Sequence, residues 1–309
     1  MMKRIGTGIL GLLSLLAIIG CKNDDDNAFI GPTVRDRGEV QVENDAELQT
    51  FLQTHFYNYE EFENPDPDFD YQISFGSLEG DFASKTPLID QVREVSFNLL
   101  ETDYTLYVLN VRQGAGTESS FADSTLVNYT GFRINNDKLV ANPFDFSTSP
   151  VWFDQGLNIF GFANGIAGFQ GASGVSQNSD GTLSFANDFG VGAVFIPSGL
   201  AYFNSLAIGS AYANSIFTFR LYDAIPNTDS DGDGIPNFME DLNNNFTLRD
   251  DNTDGDFVSQ NQPRSNFIDS DDDGDGQPTR NEIEIDEAGN ITFPDADNDG
   301  VPDYLDGDS

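Results

Sequence analysis

Behind Asn44-Asp45-Ala46-Glu47, a capping-box pattern, apolar-side positions recur at Leu48, Phe51, Leu52, His55 and Phe56. Steps of three and four place these residues on one face, which predicts an amphipathic helix of about three turns. His55 falls on that face near the C-terminal end, where partial burial or the helix dipole accounts for it without catalysis. Upstream, residues 27–43 show no period and carry Gly31-Pro32, the composition of a linker. Downstream, Asn64-Pro65-Asp66-Pro67-Asp68 interrupts the chain, and residues 69–97 are ambiguous.

The period changes at Asp103. Tyr104, Leu106 and Val108 alternate, Leu109 and Val111 follow, and the run ends at the turn Gln113-Gly114-Ala115-Gly116. Residues 126–132, 191–196 and 215–222 are three further strand patterns, and residues 164–170 (NGIAGFQ) predict a loop entering one short helix. Few helices among several unevenly spaced strands predict an α+β domain on a largely antiparallel sheet.

The N-terminus follows another pattern. Met1-Met2-Lys3-Arg4 is basic, residues 5–20 (IGTGILGLLSLLAIIG) form an apolar run too short to span a bilayer comfortably, and Cys21 follows directly. This is the layout of a secretory signal. Ile18-Ile19-Gly20-Cys21 resembles the bacterial lipobox, which implies cleavage before Cys21 and lipidation of its thiol as a membrane anchor. Lys22-Asn23-Asp24-Asp25-Asp26 is similar to the export tag of Bacteroidota lipoproteins, which implies the outer membrane and its outer face.

Composition then removes whole classes of function. Fifty-two acidic against 14 basic side chains give a formal charge of −38, which phosphate backbones would repel, so nucleic acid is excluded as a partner. One Cys and one His leave no internal disulfide, no thiolate cluster and little room for imidazole-based catalysis or metal binding. Any chemistry must use carboxylates, hydroxyls, aromatic rings or a bound cation. The acid is concentrated at one end: residues 227–309 hold 24 acidic and three basic side chains.

Within that stretch Asp229-x-Asp231-x-Asp233-Gly234, with Glu240 in the twelfth place, satisfies the calcium-loop pattern. Asp271, Asp273, Asp275, Gly276 and Glu282 repeat it, Asp295, Asp297, Asp299, Gly300 and Asp306 form a third copy, and Asp250, Asn252, Asp254 and Gly255 a degraded fourth. Alternate carboxylates turn towards one centre, Gly permits the bend, and a late acid closes the shell. All-oxygen ligands select a hard cation, and a tolerance for about seven of them favours Ca²⁺ over Mg²⁺. No strong amphipathic helices flank the loops, and Pro236, Pro278 and Pro302 each stand two residues after the loop Gly, a cadence that resembles thrombospondin type-3 repeats.

The central strands carry a second resemblance. A Gly-x-Gly turn after the first strand, VNYTG, PFDFS, a Gly-Phe entry to a helix, FIPSGLAY and ANSIFTFRL follow in an order that resembles FKBP-type peptidyl-prolyl isomerases, over residues 98–224. That family implies a curved antiparallel sheet around a short helix, with an aromatic pocket for the proline ring. The resemblance places Tyr129, Phe144, Asp145, Phe169, Tyr202 and Phe219 at the pocket, with Phe169 as floor and Ile166 lining it through the helix entry. It implies that the Tyr202 hydroxyl holds a substrate carbonyl and that Asp145, shielded among aromatics, polarises the bound amide. The chain departs from the family at Val151, Ala211-Tyr212 and Phe203, and in the long polar stretch 171–190.

The expected organisation is a leader (1–20), a tether (21–43), a helical and irregular segment (44–97), the isomerase domain (98–224) and the calcium repeats (227–309). The implied activity is cis-trans isomerisation of X-Pro bonds in exported, unfolded or partly folded polypeptides at the outer membrane, with no catalytic cofactor. The alternative is a non-enzymatic surface lipoprotein that uses the same fold to bind partners on a calcium-rigidified stalk.

Overall fold

The computed structural model describes residues 33–259 and 262–308, so the expected leader and the lipidation expected at Cys21 lie outside the described residues. The first element is α1 (Arg37–Thr54), whose N-cap Asp36 accepts the Glu39 N–H at 2.9 Å. It begins seven residues before the capping box read from the sequence, and the expected tether from residue 37 onwards is helical. The added turns bury Val40, Gln41 and Asn44. Two of those three are polar, so no hydrophobic period announces them. Asn44 is fully engaged: its Oδ1 accepts the N–H (2.8 Å) and hydroxyl (2.6 Å) of Ser198, and its Nδ2 donates to the Tyr212 carbonyl (2.9 Å).

The short strands β1 (His55–Tyr57) and β2 (Phe75–Ser77) pair antiparallel around the small helix α2 (Tyr59–Glu63). Then β3 (Val92–Leu99) makes a hairpin with β4 (Thr102–Arg112), so the ambiguous stretch ends in an edge strand of the main sheet. β5 (Ser124–Asn135) is followed by three short strands, β6 (Lys138–Leu139), β7 (Asp145–Phe146) and β8 (Val151–Asp154). The helix α3 (Phe160–Ile166), a small hairpin of β9 (Val175–Gln177) and β10 (Leu183–Phe185), β11 (Gly190–Ile196) and β12 (Ser215–Ile225) complete the domain.

The sheet order is β3-β4-β11-β12-β5-β6, all antiparallel, with β7 and β8 also on the outer edge of β5. Alternation of side chains along the strands makes two cores. On one face, Leu48, Phe51 and Leu52 of α1 pack with Tyr107, Leu109, Phe195 and Ile216. On the other, Phe162 and Ile166 of α3 pack with Leu106, Val108, Val194, Phe217 and Phe219. β11 is buried at all seven positions because both faces are covered.

The helix lies upstream of its expected place. The sequence predicts NGIAGFQ as its entry, but α3 runs from Phe160 to Ile166, and Gly168, at φ +85°, turns the chain out of it. That left-handed backbone favours Gly, so Gly168-Phe169 marks the exit and Gly161-Phe162 the first turn. Beyond β12 the described residues form four short 3₁₀ turns: Asn266–Ile268, capped by Ser265, and Asn237–Glu240, Thr279–Asn281 and Asp303–Leu305, each capped by the Pro of the Gly-x-Pro cadence. No helix among the described residues is long and apolar enough to cross a membrane.

Candidate functional site

Over α3, the sheet forms an aromatic bed. Phe217 of β12 sits at its centre, 5.3 Å from the Phe162 ring, 5.5 Å from Phe144 and 6.3 Å from Tyr129. Tyr202 stands edge-on to Phe144 at 5.8 Å, and Phe153 lies 5.2 Å from Tyr129. Phe162 and Phe217 are buried, whereas Tyr129, Phe144, Phe153 and Tyr202 are half-buried, so the bed has a closed floor and an accessible rim. Gly131 permits this approach, since a Cβ there would stand 2.7 Å from the Phe217 ring and 3.0 Å from Phe144.

The rim has one polar pair. The Tyr129 hydroxyl donates to Asp145 Oδ2 at 2.9 Å. Burial, reinforced by this bond and the neighbouring charge, pushes the Tyr129 phenol up to about 12, so it remains a donor at neutral pH. Burial also raises the Tyr202 phenol, with the Asp145 charge adding to it. The Asp145 carboxylate itself is exposed, not shielded as expected. β7 is a two-residue edge strand paired at Thr130 and Gly131, which turns Phe144 inwards and leaves Asp145 and Phe146 at the surface.

Five of the seven residues expected at this site are placed around or just beneath the bed: Tyr129, Phe144, Asp145, Tyr202 and Phe219. Phe169, 1% exposed, packs its ring 4.9 Å from Phe219 beneath the sheet, while Phe162, 2% exposed, is the ring that meets Phe217. Ile166 ends α3 instead of opening it and is fully buried. Phe162, Phe217 and Phe153 were missed. The signal for Phe162 was present in FGFANGI, where a Gly-Phe pair precedes a Gly by three residues, but a second Gly-Phe at 168–169 offered a competing register.

The acidic segment holds a different constellation. Asp231, Asp233, Glu240 and Asp272 bring carboxylate oxygens within 4.8 Å of one another. Asp233, Glu240 and Asp272 are 2%, 1% and 1% exposed, and both oxygens of Glu240 and Asp272 lack any hydrogen-bond partner. Desolvation and mutual repulsion push these acids up, Asp231 to about 8, Asp272 to about 9 and Glu240 to about 11. Buried, unpaired carboxylates are costly, and a hard divalent cation at their centre would supply the missing partner. Asp229 accepts the N–H groups of Gly232 (2.7 Å) and Gly234 (3.0 Å), which shapes the loop, while Asp272 arrives from the second loop. No spacing rule could find Asp272, because it is brought in by the fold.

Asp271, Asp273 and Asp275 form a second group, with an unpartnered Glu282 oxygen, and Asp295, Asp297 and Asp299 a third, with an unpartnered Asp306 oxygen. Burial raises Glu282 to about 7. Gly234, Gly276 and Gly300 have φ of +104°, +95° and +103°, the left-handed conformation that the bend needs.

No protein-family model and no curated protein matches the chain. Among solved structures it is similar to a peptidyl-prolyl cis-trans isomerase from Pseudomonas syringae pv. tomato, at 14% identity and TM-score 0.34, over 62% of this chain and 98% of that one. It is also similar to FkpA from Escherichia coli, at 17% identity and TM-score 0.34, over 61% of this chain and 62% of that one. The N-terminal domain of FKBP42 from Arabidopsis thaliana matches at 13% identity and TM-score 0.30, over 39% of this chain and 86% of that one.

Proposed function

We propose that the central domain is a peptidyl-prolyl cis-trans isomerase of the FKBP type, acting on proline-containing polypeptides outside the cytoplasm. The observation that carries this reading is the half-buried aromatic rim of Tyr129, Phe144, Phe153 and Tyr202 over the Phe162–Phe217 floor, with one tyrosine–carboxylate pair beside it. An X-Pro amide resists rotation by about 18 to 20 kcal/mol because the nitrogen lone pair is shared with the carbonyl. Polar solvent favours the charge-separated resonance form, so a dry aromatic bed favours the twisted, less conjugated amide. The Tyr202 hydroxyl would donate to a substrate carbonyl, and the negative field of Asp145 would act from the rim. Binding of the twisted state would supply the acceleration, with no nucleophile and no catalytic cofactor.

The acidic segment would bind Ca²⁺. Its three carboxylate groups supply hard oxygen ligands, and the orphaned oxygens of Asp231, Asp233, Glu240 and Asp272 fit a cation better than a solvated surface. Cys21 would anchor the chain by lipid in the outer membrane, with the calcium segment and isomerase domain on the outer face. A protease-coupled prolyl-peptide assay on the full chain, with and without Ca²⁺, tests the enzymatic reading. A rate above background, lowered in Tyr202→Phe, supports it. Background rates on several X-Pro peptides would leave the partner-binding alternative standing.

A further inference from the structure

Between the first and second acidic loops the chain repeats their architecture without their sequence. Asp241, Asn243 and Asn245 occupy alternate positions, and Phe246 stands where the other loops have Gly. The backbone follows the same course. Asp241 Oδ2 accepts the Phe246 N–H at 3.0 Å, as Asp229 Oδ2 accepts that of Gly234 (3.0 Å) and Asp295 Oδ2 that of Gly300 (3.1 Å). Asn245 Oδ1 accepts the Thr247 N–H at 2.9 Å, as Asp233 and Asp299 accept those of Ile235 (2.7 Å) and Val301 (2.8 Å). Phe246 has φ +65°, a conformation that a bulky aromatic residue seldom takes.

An independent observation points to a ligand. Asp251 is 5% exposed, and its Oδ2 is buried with no hydrogen-bond partner. Its other oxygen accepts Asn243 Nδ2 at 3.2 Å, so the carboxylate is turned into the loop. Asp250 and Asp241, itself 7% exposed, add their charge at the same place. The backbone N–H groups of Leu242 and Asn243 and the Asn243 amide act on this carboxylate, but its buried Oδ2 remains unpartnered beside two further acids, with no cationic residue among these groups, and a cation would stabilise it.

We propose that Asp241, Asn243, Asn245 and Asp251 form a further divalent-cation site, selective for Ca²⁺, that seats the acidic segment on the isomerase-like domain. The unusual sixth residue supplies the coupling. Phe246 lies edge-on to Phe97 at 5.9 Å and to Phe121 at 5.6 Å, and its carbonyl accepts Asn164 Nδ2 of α3 at 3.2 Å. Two residues on, Leu248 is buried with Ala122 and Phe267, and the Arg249 guanidinium donates to the carbonyls of Gly156 and Leu157. A cation that fixes the loop therefore fixes the residues that grip the central domain.

The test is Ca²⁺ stoichiometry on the full chain by equilibrium dialysis at millimolar concentration, with limited proteolysis of residues 242–249 as a second readout. Asp231→Asn, Asp273→Asn and Asp297→Asn together disable the three acidic loops. That variant should retain one bound Ca²⁺, and adding Asp251→Asn or Asn243→Ala should remove it and expose the 242–249 segment to protease. Either further substitution should also take one equivalent from the otherwise unchanged chain. A triple variant that binds no Ca²⁺, beside an unchanged chain that does, overturns this site and leaves the acidic loops intact as a reading. An unchanged chain that binds none overturns both.

Discussion

At the scale of single residues, the candidate pocket separates packing from chemistry. Phe162 and Phe217 hold the bed together, so substituting either one disturbs fold and site at once, and Phe162→Ala should cost about 3 to 5 kcal/mol in urea unfolding. Tyr202 and Asp145 stand at the rim, one half-buried and the other exposed. Tyr202→Phe and Asp145→Ala should each lower kcat/KM about tenfold, the equivalent of one lost hydrogen bond or local charge at about 1.4 kcal/mol, with little change in thermal midpoint. Full activity in both, on several prolyl peptides, would place the reaction elsewhere. Tyr129 is the intermediate case, because its hydroxyl is committed to Asp145 and its ring to Phe153 and Phe217.

At the scale of elements, α1 does more than cover the sheet. Through Asn44 it holds Ser198 and Tyr212, which bracket the stretch carrying Tyr202, and Arg37 lies over the Phe203 ring at 4.0 Å. Asn44→Ala leaves the Ser198 N–H and hydroxyl unpaired in the interior and should destabilise the domain by about 1 to 3 kcal/mol. Activity should fall with it, through a displaced Tyr202. The end of α1 carries a pH dependence. His55 stacks on Phe51 at 3.9 Å, and burial lowers its pKa below the usual value of 6.5. A lowered folded pKa means that the neutral ring is favoured on folding, so this stabilisation is complete above about pH 6.5 and is lost as pH falls through the folded value. Between pH 7.5 and pH 5, urea midpoints should fall further for the unchanged protein than for His55→Gln. Parallel curves would remove His55 as the source.

At the scale of the whole molecule, the acidic segment is joined to the central domain, and several junctions involve the loop residues themselves. Ser230 donates to Asp154 at 2.6 Å, Asn237 donates to the Ala122 carbonyl at 3.1 Å, and Thr228 Oγ1 accepts the Ser124 N–H at 2.7 Å. The segment has a small core of its own, Ile235, Ile283 and Tyr304, drawn from all three repeats and set beside the Asp231–Asp272 cage. Removing Ca²⁺ with a chelator should therefore loosen the repeats together, read as a larger hydrodynamic radius and faster proteolysis of residues 227–308. Asp272→Asn should weaken binding at the first loop although it belongs to the second. Unchanged affinity there would refute the shared cage.

How much was legible in the sequence depended on whether the controlling interaction was local. Strand alternation, the C-terminal turns of α1 and the Asp-x-Asp-x-Asp-Gly spacing are short-range patterns, set by the pleat, the helical period and one tight bend, and each was readable before the fold was known. Sequence alone thus determined the antiparallel α+β class, the aromatic character of the central strands and the alternate carboxylate spacing of the tail. Tertiary structure decided which of two Gly-Phe pairs enters α3, that Phe217 and Phe162 face one another, that two polar residues extend α1 upstream, that Asp272 joins the carboxylates of the first loop and that Asp251 is buried against Asn243. In each case the deciding partner is distant in sequence or has no periodic signature, and the contact concerned, a buried ring against a ring, a buried amide hydrogen bond or the convergence of carboxylates, exists only after the chain has packed.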